Sequence, residues 1–194
     1  MEERAAYISE SEYIALEENS KYKNEYFNGQ IYAMAGASEN HNIIATNILS
    51  ELRFQLKKKD CIVYGSDMRV KVKKTGLYTY PDISIACGDR KFSGEKPDTL
   101  LNPIVIIEIL SDSTEAFDRG GKFAHYRQLD SLYEYILVSQ TEKKIEKFLR
   151  NHTGKWELTE TTMEALEMEL LSVDCKLLIE EVYEKTDFTI QNKA

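Results

Sequence analysis

The stretch Ile104-Val105-Ile106-Ile107-Glu108-Ile109-Leu110 decides how this sequence folds. A short apolar run rich in β-branched residues is typical of a strand that is buried on both faces of a sheet. Glu108 interrupts the run, and a lone buried carboxylate costs several kcal/mol unless a charge or a metal ion compensates for it. A structural ion pair is one interpretation of Glu108, and a functional carboxylate is the interpretation that we favour.

Asp82 begins a second predicted strand, residues 82–87, and directly follows Pro81. An aspartate after a proline is also common in turns, so a role at the strand entry is the alternative. If the two strands are antiparallel neighbours, the start of one lies beside the end of the other, and Asp82 meets Glu108 at one edge of the sheet. Two carboxylates at that distance repel each other unless a divalent cation lies between them, and Mg²⁺ takes oxygen ligands of this kind.

Lys122 is the third candidate, and it lies on a helix predicted to run to about Leu129. Ser113 or Thr114 can cap the start of that helix. A lysine on a helix is usually solvated, so Lys122 alone indicates little. Its position soon after the carboxylate strand makes it informative, because a short crossover can fold the helix back over the end of that strand and direct Lys122 at the metal site.

The N-terminal part of the chain predicts a helix, a hairpin and a longer helix. A capping box at Ser9 begins a helix that runs to about Glu18. Asn28-Gly29 predicts a type I′ turn in a β-hairpin over residues 21–36. The longest helix is predicted over residues 39–58, because its apolar residues recur every four positions.

The remaining elements are mostly strands. Further strands are predicted at residues 61–64, 68–73, 133–139, 143–150 and 156–161. The acidic tail from Thr162 onward is expected to pack as a helical or irregular cover. No repeat or proline-rich linker divides the chain, so we predict a single domain over residues 1–194, with a core at about 20–150 and the cover at 151–194. This order of elements indicates an α/β (α+β) class, with a mixed sheet, flanking helices and an N-terminal β-hairpin.

The composition fits a globular protein whose charge is unevenly distributed. The chain has 194 residues, of which 42% are hydrophobic, and this excludes a disordered or collagen-like class. The formal net charge of −8 argues against a protein that coats nucleic acid by bulk charge alone. The charge is −3 for residues 1–60, +1 for 61–150 and −6 for 151–194, so the predicted core is close to neutral.

Cysteine usage and hydropathy favour an intracellular protein. Cys61, Cys87 and Cys175 are far apart and show no C-x-x-C spacing. They support neither a disulfide framework nor a zinc ribbon, and reduced thiols are the simplest interpretation. No run approaches the roughly 18 apolar residues of a membrane-spanning helix, and no apolar signal region follows Met1. We therefore expect a cytoplasmic protein without a membrane segment.

An ordered series of motifs resembles one nuclease family. The motifs are Glu25 in the hairpin, His41 in the long helix, Tyr80-Pro81-Asp82, Ile107-Glu108-Ile109-Leu110-Ser111-Asp112-Ser113-Thr114, Asp118-Arg119-Gly120-Gly121-Lys122-Phe123-Ala124-His125-Tyr126 and Glu134-Tyr135-Ile136-Leu137-Val138. Together they resemble the Uma-type family of restriction endonucleases, a branch of the PD-(D/E)XK nuclease superfamily, over about residues 25–150. The resemblance implies a restriction endonuclease-like fold and metal-dependent hydrolysis of phosphodiester bonds.

The resemblance also implies a role for each candidate residue. Asp82 and Glu108 would ligate Mg²⁺, for which Mn²⁺ can substitute. Lys122 would orient or help to deprotonate the attacking water, or neutralise the transition state. Glu25 could complete the acidic cluster, and His41 could contact phosphate or simply cap its helix. The implied substrate is DNA, bound by local contacts, and the implied assembly is a homodimer because one site cuts one strand.

One position departs from the pattern of the superfamily. The superfamily lysine normally lies two residues after the glutamate on the same strand, and this chain has Leu110 there. Lys122 would replace that lysine from the helix. The rival hypothesis is a catalytically weak or inactive nuclease-fold module that binds nucleic acid or protein, and a purely structural ion-pair network is a third. Tyr126 and Tyr135 are interpreted as packing residues.

Overall fold

The computed structural model describes residues 7–34, 36–161 and 166–189. Its helices are α1 (Glu10–Asn19), α2 (Glu39–Gln55), α3 (Glu115–Phe117), α4 (Phe123–Tyr126) and α5 (Ile179–Val182), and a π-helical turn, the π-turn (Asp118–Lys122), joins α3 to α4. Its strands are β1 (Asn24–Phe27), β2 (Gln30–Ala33), β3 (Cys61–Gly65), β4 (Arg69–Val72), β5 (Leu77–Thr79), β6 (Ile83–Cys87), β7 (Thr99–Leu100), β8 (Val105–Leu110), β9 (Glu134–Ser139), β10 (Ile145–Arg150), β11 (Trp156–Glu160), β12 (Glu167–Leu170) and β13 (Cys175–Leu178). Within these ranges, no helix has the length and apolar character needed to cross a membrane.

A six-stranded central sheet has the order β11-β10-β9-β8-β6-β3. β8 lies between β9, which runs parallel to it, and β6, which runs antiparallel. Every residue of β8 is buried, as its apolar run predicts. The mixed sheet with flanking helices is confirmed, and the antiparallel pairing brings the start of β6 beside the end of β8.

α2 covers one face of the central sheet. Its residues Ile44, Ile48 and Leu52 are fully buried and belong to one apolar cluster with Ile83 and Ile107 of the sheet. The C-terminal strands β12 and β13 and helix α5 extend the same cluster. The four-residue recurrence of apolar side chains therefore has the effect expected for an amphipathic helix, although α2 ends slightly earlier than predicted.

A five-stranded outer sheet, with the order β2-β1-β5-β4-β7, packs on the other face. Val70 and Leu77 of the outer sheet share an apolar cluster with Ile106 and Leu137 of the central sheet. α1 packs on the outer sheet through three buried tyrosines, Tyr13, Tyr26 and Tyr78. A space between the two sheets can therefore be lined by residues from both.

The local signals at the N-terminus are confirmed. Ser9 and Glu12 form the capping box of α1 with both expected hydrogen bonds. β1 and β2 pair as the predicted hairpin, which places Glu25 on β1. Asn28 and Gly29 in its turn have φ values of 47° and 81°, the left-handed conformation that a type I′ turn requires.

The helix predicted from Ser113 or Thr114 to about Leu129 is confirmed as one helical segment over residues 115–126, but it contains a π-helical turn that was not expected. The segment forms α3, the π-turn and α4, and the Thr114 side chain makes no capping hydrogen bond. The π-turn contains Gly121, where an added Cβ would lie 2.6 Å from the Phe117 ring. Glycine permits this close approach but favours a regular α-helix poorly, so the helix is interrupted at this point.

The acidic tail is also not the helical or irregular cover that was expected. It contains the β12–β13 hairpin and then α5, and residues 162–165 lie outside the described part. Glu167-Met168-Glu169-Leu170 alternates exposed and buried side chains, which is the period of a strand. The main-chain N–H groups of Leu171 and Ser172, at the hairpin turn, donate to the Glu134 carboxylate at 2.9 and 3.0 Å.

The expectation of three reduced thiols is wrong for two of them. Cys61 and Cys87 are directly opposite each other on β3 and β6, and their sulfur atoms are joined in a disulfide. Cys175 is free and buried. The spacing of the cysteines along the chain carries no information on the pairing register of two strands, and that register brings the first two together.

Candidate active site

Asp82 and Glu108 lie side by side where β6 begins and β8 ends. The main-chain N–H of Asp82 donates to Glu108 Oε2 at 3.3 Å, and the main-chain N–H of Ile109 donates to Asp82 Oδ2 at 2.8 Å. Each carboxylate is therefore held by the backbone of the neighbouring strand. The structure brings the two predicted carboxylates together at one edge of the central sheet.

Lys122 reaches the same position from the π-turn. Its Nζ atom lies 3.1 Å from Glu108 Oε1 and 3.2 Å from Glu25 Oε1. The Lys122 side chain is only 9% exposed, so these ion pairs are shielded from solvent. Leu110, two residues after Glu108 on β8, is buried in the apolar cluster between the two sheets. The helical segment thus supplies the ammonium group that β8 does not carry.

Glu25 enters the site from the outer sheet. The Thr79 hydroxyl donates a hydrogen bond to Glu25 Oε1, and the main-chain N–H of Tyr80 donates to the same atom at 3.4 Å. These donors lie on β5 and just after it, while Glu25 lies on the adjacent β1. Two strands of the outer sheet therefore fix one carboxylate, and two strands of the central sheet fix the other two.

His41 lies in the first turn of α2 and contacts Asp82. Its Nε2 atom is 3.2 Å from Asp82 Oδ2. Its main-chain N–H donates to the Ser38 hydroxyl at 3.1 Å, which makes Ser38 the N-cap of the helix. Its Nδ1 atom is buried and has no hydrogen-bond partner within the described ranges. The ring thus contacts the acidic cluster rather than solvent alone.

Two further residues contact the cluster, although they are not among the predicted site residues. The Tyr126 hydroxyl donates to Glu108 Oε1 at 2.8 Å, and Asp118 Oδ1 lies 3.5 Å from Lys122 Nζ. Tyr135 packs in the core as expected, and its hydroxyl also donates to the main-chain carbonyl of Asp118 at 3.0 Å. The i,i+4 spacing of Asp118 and Lys122 is a signal in the sequence that indicates this pair.

The electrostatics of the cluster set Glu108 apart. Burial raises the pKa of Glu108 to about 8; Lys122 opposes that rise, and Asp118, Asp82 and Glu25 add to it. Burial alone would lower the pKa of Lys122, but Glu108, Glu25 and Asp118 together hold it well above its usual value. The cluster therefore contains more negative charge than one ammonium group balances.

The donor set suits a hard divalent cation. Glu108 directs Oε1 at Lys122 and Tyr126, whereas its Oε2 atom lies on the side of Asp82. Mg²⁺ is usually bound by one or two carboxylates, with water and substrate phosphate completing its octahedral shell. The two strand carboxylates fit that requirement. Over residues 7–34, 36–161 and 166–189, no group of three or more His, Cys, Asp or Glu side chains forms a metal-binding cluster by itself.

Comparison with known proteins identifies the family. The family model described as "Uma2: Putative restriction endonuclease" matches residues 10–179, which include every candidate residue of the site. The chain belongs to the Uma2 family. The match begins at the start of α1 and ends at the start of α5, so the hairpin β12–β13 lies within the family region.

Relatives of this Uma2 protein occur in cyanobacteria. Two proteins of Synechocystis sp. strain PCC 6803 are similar to it, the uncharacterized proteins slr1290 and sll1609. The first is 36% identical over 176 residues, 91% of each chain, and the second is 33% identical over 162 residues, 84% of this chain and 92% of that one. The crystal structure of a putative nuclease belonging to DUF820 from Anabaena variabilis superposes with a TM-score of 0.72 at 18% identity, covering 89% of this chain and 96% of that one. The superposition shows that the fold is restriction endonuclease-like.

Proposed function

We propose that this Uma2 protein is a Mg²⁺-dependent endonuclease that hydrolyses phosphodiester bonds in DNA. One observation carries the proposal: Asp82 and Glu108 meet at the ends of two strands, and the Lys122 ammonium lies 3.1 Å from Glu108. A buried lysine beside paired carboxylates suits phosphoryl chemistry, because it combines cation ligands with a fixed positive charge. The family description and the fold support the same class of reaction.

Each residue has a defined task in the proposed reaction. Asp82 and Glu108 hold Mg²⁺, or Mn²⁺ in its place, through their carboxylate oxygens. The bound cation lowers the pKa of water and offsets the negative charge that builds up on the phosphate. Lys122 stays an ammonium group because its pKa is raised, so it acts as a hydrogen-bond donor to the attacking water or to a phosphate oxygen rather than as a base. Glu25 restrains Lys122 from the outer sheet.

His41 is the proposed contact to the DNA backbone. Its Nε2 atom lies 3.2 Å from Asp82 Oδ2, and its Nδ1 atom is buried without a partner within the described part of the chain, so the ring has to turn about its side-chain bonds to offer a nitrogen to a phosphate oxygen or a bridging water. The near-neutral charge of residues 61–150 is compatible with local contacts of this kind, whereas bulk attraction to DNA is not expected. A homodimer would supply a second site for the second strand.

Plasmid cleavage tests the proposal directly. Supercoiled plasmid is incubated with wild type, Asp82→Ala and Glu108→Ala in Mg²⁺, in Mn²⁺ or in EDTA. We expect nicking and linearisation by wild type only, and only with the metal. Asp67→Ala is the matched control, because Asp67 is almost fully exposed and pairs with Lys23 away from the cluster. Equal behaviour of wild type and the two site variants would refute the nuclease proposal.

A non-catalytic nuclease-fold module that binds nucleic acid or protein is the second candidate function. The burial of Leu110, where the superfamily has its lysine, favours it. Mn²⁺ calorimetry and a DNA gel shift in EDTA separate the two candidates. DNA binding without cleavage, unchanged in Glu108→Ala, supports the module, whereas Mn²⁺ binding that is lost in Glu108→Ala together with cleavage supports the enzyme.

A further inference from the structure

The π-turn carries a buried carboxylate that the proposed reaction has not yet used. Asp118 is 3% exposed and Lys122 is 7% exposed, and Asp118 Oδ1 lies 3.5 Å from Lys122 Nζ. In the described part of the chain, Asp118 Oδ1 accepts no hydrogen bond. An under-satisfied buried carboxylate oxygen is costly, so its presence beside the candidate site requires an explanation.

The backbone around Asp118 is fixed to the central sheet. The Tyr135 hydroxyl on β9 donates to the Asp118 carbonyl at 3.0 Å, and Phe123, directly after the π-turn, stacks on the Tyr135 ring with 5.1 Å between centroids. These contacts hold the π-turn against β9. π-helical turns are rare and occur often at functional sites. Asp118 is therefore kept in the interior beside Lys122 by contacts of its own main chain and of the adjacent residue.

The number of carboxylates around Lys122 exceeds what its charge requires. Glu25, Glu108 and Asp118 all lie within 3.5 Å of Nζ, although one carboxylate balances one ammonium group. In the proposed function Glu108 is also a cation ligand, and this reduces the negative charge that it offers to Lys122. Glu25 and Asp118 then remain as partners, and only Asp118 belongs to the same turn as Lys122.

The location of the lysine explains why a second anchor is needed. Lys122 reaches the site from the π-turn through a flexible four-carbon stem, so its ammonium group needs partners that fix its position. We propose that Asp118 is a positioning residue, which holds the Lys122 ammonium in the active site and thereby allows a lysine on the π-turn to replace the one missing at position 110. This inference rests on the proposed nuclease function and extends it to a residue that does not touch the substrate.

The kinetic test uses the isosteric variant Asp118→Asn, which keeps the shape of the side chain and removes its charge. We expect kcat for plasmid cleavage to fall by about 10- to 100-fold, the range found for residues that orient a primary ligand. KM for plasmid and the Mn²⁺ affinity should stay within about twofold of wild type, since the carboxylates of β6 and β8 are unchanged. Glu115→Gln is the matched control, because Glu115 lies on adjacent α3 and pairs with half-buried Arg119 rather than with Lys122.

A double variant tests whether Asp118 acts through Lys122. If it does, Asp118→Asn combined with Lys122→Ala cleaves no more slowly than Lys122→Ala alone, because the two losses are not additive. A fall in the cleavage rate of the double variant equal to the product of the two single falls would overturn the proposal. Wild-type kcat in Asp118→Asn, with cleavage still lost in Asp82→Ala, would overturn it while leaving the nuclease function intact.

A measurement without substrate separates this proposal from the nuclease function. In ¹H–¹⁵N spectra of lysine ammonium groups, a buried and ion-paired Lys122 should give a slowly exchanging signal that is absent in Lys122→Ala. We expect Asp118→Asn to broaden or remove that signal at unchanged thermal stability, and Glu115→Gln to preserve it. An unchanged signal in Asp118→Asn would refute the positioning role. Loss of the signal in a protein whose wild type cleaves no DNA would refute the nuclease function but retain the Asp118–Lys122 restraint.

Discussion

Two buried glutamates on neighbouring strands of the central sheet have very different surroundings. Glu134 on β9 accepts hydrogen bonds from the main-chain N–H groups of Leu171 and Ser172 and from the Ser172 hydroxyl, and lies 3.7 Å from Lys147 Nζ. Glu108 on β8 accepts from Tyr126 and pairs with Lys122, but it also shares its space with other carboxylates.

The difference teaches how to separate a structural buried carboxylate from a functional one. Burial is almost the same for both, since Glu134 is 0% and Glu108 is 3% exposed. The donors around Glu134 occupy both oxygens and tie the tail hairpin to the core. Around Glu108 the negative charges outnumber the positive ones, and this excess is the property that a cation would compensate. The charges and hydrogen-bond donors around a buried carboxylate are therefore more informative about its role than its degree of burial.

The largest expected effect is the difference in cleavage rate between the isosteric variants Glu108→Gln and Glu134→Gln. Glu108→Gln should lower the rate of Mg²⁺-dependent plasmid cleavage by at least about 10²–10³-fold, because it removes a cation ligand and a partner of Lys122. Glu134→Gln should cleave at the wild-type rate per folded molecule. Initial rates on supercoiled plasmid measure both, and equal losses in the two variants would contradict the distinction between the two glutamates.

The second effect concerns the free energy of unfolding, for which Glu134→Gln should be the more damaging of the two variants. Glu134→Gln should lower the free energy of unfolding by about 3 kcal/mol, because it leaves buried Lys147 without its carboxylate and turns one acceptor oxygen into an NH₂ group that faces a main-chain N–H donor. Above about pH 8, where Glu108 is ionised, Glu108→Gln should leave the metal-free protein at least as stable as wild type, since it removes a like charge from the cluster. Urea unfolding measures both, with Glu167→Gln as the control for an exposed tail glutamate that pairs with Lys176.

A smaller loss is expected from Tyr126→Phe. The variant keeps the ring in the core and removes the hydrogen bond of 2.8 Å to Glu108 Oε1. Hydrogen bonds to charged groups contribute about 1.5–3 kcal/mol, so cleavage should fall by about 10- to 150-fold. Tyr183→Phe, which loses a hydrogen bond to the main-chain carbonyl of Lys144, is the comparison variant. A wild-type rate for Tyr126→Phe would show that Lys122 and the main-chain N–H of Asp82 orient Glu108 without Tyr126.

The most gradual effect is on the pH dependence of stability. Burial raises the pKa of Glu108 from 4.5 to about 8, so between these values the folded protein binds more protons than the unfolded chain. Glu108 therefore stabilises the metal-free fold fully below pH 4.5, and this contribution is lost as the pH rises through about 8. The difference in unfolding free energy between wild type and Glu108→Gln should fall across that range. A difference that does not change with pH would contradict the raised pKa.

The sequence was most informative about structures that depend on a single local element. The apolar run around Glu108 predicted β8 and its burial, and the turn at Asn28-Gly29 predicted the hairpin, because both signals are local. The site residues Asp82 and Lys122 needed the order of motifs as well, since their meeting depends on strand pairing and on a crossover. These residues converge as predicted, and their catalytic roles stay proposals.

The features that could not be predicted depend on packing between elements or on the register in which strands pair. The alternation at residues 167–170 is short and acidic, so it was interpreted as part of a cover rather than as a strand. In the π-turn the Phe117 ring packs closely over Gly121, and helix propensities do not describe such a contact. Two short strands of the outer sheet, β5 and β7, have too few residues to show a period of their own. Asp118 was visible only as a spacing relative to Lys122.

The bond between Cys61 and Cys87 makes the chain between them a closed covalent ring. That ring contains β4 and β5 of the outer sheet and also Asp82, so the two sheets are linked by topology as well as by packing. For a separation of 26 residues, ring closure restricts the unfolded chain enough to stabilise the fold by about 3–4 kcal/mol. The stability of the folded protein is thereby coupled to the thiol–disulfide balance of its surroundings, and a reducing agent should lower the free energy of unfolding by about that amount although it acts on no residue of the acidic cluster.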